Sequence, residues 1–157
     1  MTERSVTHAT FTIERAYDAS AARVFAAWAD PAAKARWFAG PDEWGPAQYE
    51  IDFQVGGREV SRNGPNGGSV YAYDARYQEI VPDERIIYTY EMYLDGTRIS
   101  VSLATVEFKP AGAGTRLIYT EQGAFLDGLD SPDQRQQGSG ALFDALDAEL
   151  RRLSATT

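Results

Sequence analysis

The chain has 157 residues, 43% hydrophobic and 24% charged, with a net charge of −8 at neutral pH; this is the size and balance of one globular domain, 1–157, and excludes a disordered or fibrous chain. The acidic surface repels phosphates and anionic lipid headgroups, which argues against nucleic acid and membrane partners. Zero cysteines and a single histidine, His8, exclude disulfides, thiolate nucleophiles and sulfur- or multi-imidazole metal sites.

Residues 6–17 alternate, with Phe11, Ile13 and Tyr17 on one parity and His8, Thr10, Thr12 and Glu14 on the other, which predicts a half-buried first strand with His8 in solvent. The period then changes. Ser20 caps a helix carrying Val24, Phe25 and Trp28 on one side, with Trp28 in the core. Asp30-Pro31 supplies the cap and first residue of a second short helix ending near Trp37-Phe38.

From Gln48 to Gln122 the chain reads as strands joined by turns. Tyr49, Ile51, Phe53 and Val55 alternate with polar residues, Gly56-Gly57 marks a tight hairpin, and Asn63-Gly64-Pro65-Asn66-Gly67-Gly68 marks a longer loop. Further strands are predicted over 69–80, 85–93, 98–108 and 115–122, and their short links imply an antiparallel meander. Ser131-Pro132-Asp133-Gln134 opens a last helix over about 132–153, with Leu142, Phe143, Leu146, Leu150 and Leu153 as its apolar stripe.

One strand, two short helices, six antiparallel strands and a long helix pack most economically as a curved sheet whose concave face is covered by that helix, an α+β helix-grip architecture. The helix is apolar only from Ala141 onward, and Pro132 to Gly140 holds no large apolar residue. Its first half leaves space beneath it, so an internal pocket is expected.

Four segments are similar to the SRPBCC, or START-like, superfamily: Val24-Phe25-Ala26-Ala27-Trp28-Ala29-Asp30-Pro31 with Arg36-Trp37-Phe38, Asp52 to Glu59, Tyr77 to Ile86, and Gly114-Thr115-Arg116-Leu117 leading to Thr120-Glu121-Gln122-Gly123. Within it the chain resembles the family named after the activator of heat-shock-protein-90 ATPase, whose bacterial members include polyketide-cyclase-like proteins. The resemblance spans nearly the whole chain and implies the helix-grip fold and a ligand pocket. It carries over no catalytic residues. Many members of the wider family have Gly-Trp in the final helix, where this chain reads Gly138-Ser139.

Tyr71 and Tyr73 share a strand parity, as do Tyr88, Tyr90 and Met92 on the next; such a face lines a cavity with rings and a few hydroxyls, or simply packs a core. Alternation from Leu117 and Tyr119 places Glu121 on the inner face, whereas a bulge or strand end would turn it to solvent. Buried, it needs a partner, for which Arg62, Arg58 and tyrosine hydroxyls are candidates. Trp37, Phe38 and Trp44 are expected near the mouth of the cup.

The leading reading is a non-enzymatic, cytoplasmic module that encloses a small hydrophobic or amphipathic molecule without any cofactor or metal. Its candidate lining is Tyr71, Tyr73, Tyr88, Tyr90, Met92, Leu103, Tyr119 and Glu121, with Arg62, Trp37 and Phe38. Two alternatives stay open. One is a cyclase, isomerase or hydrolase in which Glu121 moves a proton while Arg62 or a tyrosine stabilises an oxyanion; the other, implied by the resemblance, is a chaperone-ATPase-activating interaction module.

Overall fold

The computed structural model describes residues 3–39, 44, 45, 47–65 and 67–155. Strand β1 (Val6–Tyr17) is followed by helices α1 (Ala21–Ala29) and α2 (Pro31–Trp37). Six strands come next: β2 (Gln48–Ile51), β3 (Arg58–Asn63), β4 (Tyr71–Val81), β5 (Arg85–Leu94), β6 (Thr97–Ala111) and β7 (Gly114–Leu126). Helix α3 (Pro132–Ala155) ends the chain. The expected element order and the α+β helix-grip class are what the structure shows.

All pairings are antiparallel and the sheet order is β1-β7-β6-β5-β4-β3-β2. The meander from β2 to β7 needs only local connections, and the first strand closes the far edge beside the last one.

The caps act as read from the sequence. Ser20 Oγ accepts from the Arg23 amide at 3.3 Å, Asp30 Oδ2 accepts from Ala33 at 3.3 Å, and Ser131 Oγ accepts from Gln134 at 3.1 Å.

Two boundaries differ from expectation. The strand beginning at Gln48 stops at Ile51, four residues before Val55. Residues 52–57 instead form a turn that carries Phe53 inward against Tyr77 and Phe25. There Gly57 is obligatory, because an added Cβ would sit 2.0 Å from the Asp52 carbonyl oxygen. At the other end β7 runs on through Gly123 to Leu126, so Glu121 lies within a paired strand rather than at its frayed end. Asn66 of the expected loop lies outside the described residues.

Helix α3 crosses the concave face. Phe143, Leu146 and Leu150 are buried in the core with Trp28, Tyr119 and Phe108, while Leu142 is half-buried at its margin. Tyr17 donates a 2.9 Å hydrogen bond to the Phe143 carbonyl, and Arg23 donates to that of Leu150. The shared core therefore fixes the second half of α3; Pro132 to Gly140 carries no comparable apolar side chain. Among the described residues no helix is long and apolar enough to cross a membrane.

Candidate functional site

Between the sheet and the first half of α3 lies a cavity of about 690 Å³. β4 and β5 give it Tyr71, Tyr73, Tyr88, Tyr90 and Met92, and β7 gives Tyr119. α1, α2 and the residues after them add Trp28, Trp37, Phe38 and Trp44, and α3 adds Ser139 and Leu142. Rings meet edge to face through much of this wall, with centroids 5.0 Å apart for Phe38 and Tyr73 and 4.9 Å for Trp28 and Trp37. The cavity reaches solvent where Tyr71, stacked on Trp44, and Leu129 are 37% and 45% exposed.

Most of the candidate residues are brought together here because period 2 sends Tyr73, Ala75 and Tyr77 on β4, and Ile86, Tyr88 and Tyr90 on β5, to the concave face. Trp37 does more than line: its Nε1 donates to the Ala27 carbonyl at 2.9 Å, holding α2 against α1. His8 lies on the exposed parity of β1, as expected.

Two candidates are corrected. Leu103 lies on the outer parity of β6, whose inner parity is Ser102, Ala104, Val106 and Phe108. The apolar look of Val101 and Leu103 misleads because the inner face is polar just there: Ser100 and Ser102 meet the charged network described next. Arg62 is exposed on the outer parity of β3, and the inner parity carries Glu59, Ser61 and Asn63. Arg58 also faces outward, where it pairs with Asp74.

Glu121 is fully buried, at 0% exposure. Its Oε1 accepts from the Tyr90 hydroxyl at 2.7 Å and from Tyr119 at 2.6 Å, and its Oε2 accepts from Ser102 at 2.8 Å and from Arg135 Nη1 at 3.2 Å. Arg135 also donates to Tyr90 and Ser100 and pairs with Asp130. Burial pushes the Tyr90 and Tyr119 hydroxyls up, so both remain donors at neutral pH. For Arg135 burial opposes the charge, but Tyr90, Glu121 and Asp130 outweigh it and push the pKa up. The expected arginine partner of Glu121 thus comes from α3 rather than β3. Four donors saturate the carboxylate, which leaves it no free lone pair directed at a substrate proton and gives it a structural task in tying α3 to the sheet.

A second buried charge pair, absent from the sequence-based candidates, lies behind the aromatic wall. Lys34 of α2 places Nζ 2.9 Å from Glu59 Oε2, and Tyr49 and Tyr77 donate to the same carboxylate. Its signal in the sequence is spacing alone: Lys34 precedes Trp37 by one helical turn. Arg135 was similarly legible, since 135, 139, 142 and 146 form one stripe on α3.

The comparisons accord with this geometry. A family model described as activator of Hsp90 ATPase homolog 1-like protein matches residues 18–151. The chain belongs to this family. Among solved structures, this AHSA1-like chain is similar to an uncharacterized protein from Rhizobium leguminosarum, with 48% identity, coverage of 96% of this chain and 99% of that one, and a TM-score of 0.91. It is also similar to a protein from Rhizobium loti, at 52% identity, 92% and 99% coverage and a TM-score of 0.86. An AHSA1-like protein from Aeromonas hydrophila, 22% identical over 93% of this chain and 94% of that one, shares the fold at a TM-score of 0.71. No curated protein matches the chain. Among the described residues no cluster of His, Cys, Asp or Glu could hold a metal ion.

Proposed function

We propose that this protein binds a small, largely hydrophobic molecule in the cavity between the sheet and α3. The observation that carries the reading is the cavity itself: its volume of about 690 Å³ falls within the ~300–1,000 Å³ of small-molecule sites, and ten aromatic side chains line it. The charges beside it are already paired, Arg135 with Glu121 and Asp130 and Lys34 with Glu59. An uncharged guest therefore enters without breaking an ion pair, whereas an ionic head would compete with pairs already made. Tyr73 Oη and Trp28 Nε1, both on residues of the wall, are buried without a hydrogen-bond partner among the described residues; a hydrogen-bond acceptor on the guest would suit either of them.

Native mass spectrometry of freshly purified protein, followed by titration with an apolar fluorescent probe, tests the reading. A retained small molecule, or saturable binding of one probe per chain, is the expected result. Finding neither a retained mass nor saturable binding would overturn it.

A further inference from the structure

Only two of the 15 basic residues in this chain are lysines, Lys34 and Lys109. Lys109 is half-exposed on the sheet, while Lys34 is 1% exposed. Arginine is the better residue for a purely structural buried pair, because its planar fork grips a carboxylate at two points and never loses its charge. Here a lysine fills that position, its Nζ 3.2 and 2.9 Å from the two Glu59 oxygens. The amine sits 4.4 Å from the centroid of the Phe38 ring and 5.0 Å from that of Trp28, and both rings line the cavity. Three rings of the cavity wall, those of Phe38, Trp28 and Trp37, therefore lie beside Nζ, with Phe38 the nearest. Phe38 is half-buried and caps the C-terminus of α2 with backbone angles outside the helical range, so its side chain is not held within a helix.

We propose that Lys34 is a nucleophilic amine that forms an imine with an aldehyde or ketone entering from the cavity when the Phe38 ring swings aside. The step balances within the pair. The Lys34 ammonium passes a proton to Glu59, and the freed nitrogen lone pair attacks the carbonyl carbon. Glu59 returns that proton to the carbonyl oxygen, then carries a second proton from the nitrogen to the resulting hydroxyl, and water leaves as the C=N bond forms. The product is an iminium facing the Glu59 carboxylate, the same charge pair as before. Tyr49 and Tyr77, both donating to Glu59, hold that carboxylate in place throughout. Burial pushes the Lys34 ammonium below the usual lysine range against the opposing pull of Glu59, which favours the reactive neutral amine.

The inference depends on the cavity as the route of entry, and its test separates the two ideas. The wild-type protein is incubated near neutral pH with benzaldehyde and sodium cyanoborohydride, whose hydride reduces any imine to a stable secondary amine, and is then digested with trypsin. Benzylation of Lys34 blocks cleavage there, so residues 24–36 appear as one peptide carrying one benzyl group. The expected result is labelling of Lys34 at least about tenfold faster than Lys109. K34R, checked for folding by circular dichroism, should lose that label; the wild-type peptide map decides the matter even where K34R fails to fold. Labelling confined to Lys109 and the terminal amine, or no faster at Lys34, overturns the inference. Saturable binding of an apolar probe with no Lys34 label would do so while leaving the ligand-binding reading intact. Lys34 labelling without apolar-probe binding would support this inference and count against the other.

Discussion

Arg135 Nη1 lies 3.2 Å from Glu121 Oε2, joining the start of α3 to the middle of β7 through a pair that is almost completely enclosed. This contact holds the half of the helix that has no apolar anchor. Glu121→Gln leaves Asp130 as the one carboxylate paired with Arg135 among the described residues and sets an amide among three hydroxyl donors. The expected loss is about 3 kcal/mol, as for other broken buried pairs, read by urea unfolding. A loss under about 0.5 kcal/mol, the size of a surface change, would assign the carboxylate a task other than stability.

Leu146 is fully buried at the point where α3 meets the core. Leu146→Ala should cost about 2–5 kcal/mol in the same assay, with the spread set by how far the surrounding rings relax into the space.

Ser139 is buried on the wall of the cavity. Ser139→Trp directs an indole into the space. Affinity for an apolar probe should fall by at least about tenfold, or 1.4 kcal/mol, in a fluorescence titration of the folded variant. Unchanged affinity would mean that the probe binds elsewhere.

Gly138, one residue earlier, is exposed, and a Cβ added there meets nothing within 4 Å. Gly138→Ala should stabilise the protein by roughly 0.5–1 kcal/mol, because alanine loses less backbone freedom than glycine in a helix. Thermal unfolding of the variant measures this.

Glu149 on α3 takes three hydrogen bonds from Arg36 and two from Arg152. Those from Arg36, then Arg152, outweigh burial and hold its carboxyl at about 2. Because this lies below the unfolded value of about 4.3, the group's contribution is complete above that value and is lost as pH falls through about 2. Glu149→Gln should therefore be less stable than wild type at neutral pH, by about 1 kcal/mol given the half-exposed arginines. The difference should shrink across this acid window, as followed by urea unfolding at several pH values.

The order of elements, the caps at Ser20, Asp30 and Ser131, the core stripe of α3 and the tyrosines of β4 and β5 were all legible in the sequence. Each rests on interactions within a few residues, or on a period that one apolar face imposes by itself. Even the inward direction of Glu121 followed from Leu117 and Tyr119, because β7 is paired on both edges and cannot twist out of register.

Tertiary structure alone decided which charges meet. Arg135 reaches Glu121 across 14 positions and Lys34 reaches Glu59 across 25, separations over which no periodicity carries information. The same pairs explain the two misplaced residues. Where β3 and β6 face a buried charge, their inner parity is polar, carrying Glu59 on one strand and Ser100 and Ser102 on the other, so Val60 and Leu103 take the outer parity. Alternation tells which residues share a face. It tells which face is inside only where the interior is apolar, and beside this cavity the interior holds two ion pairs.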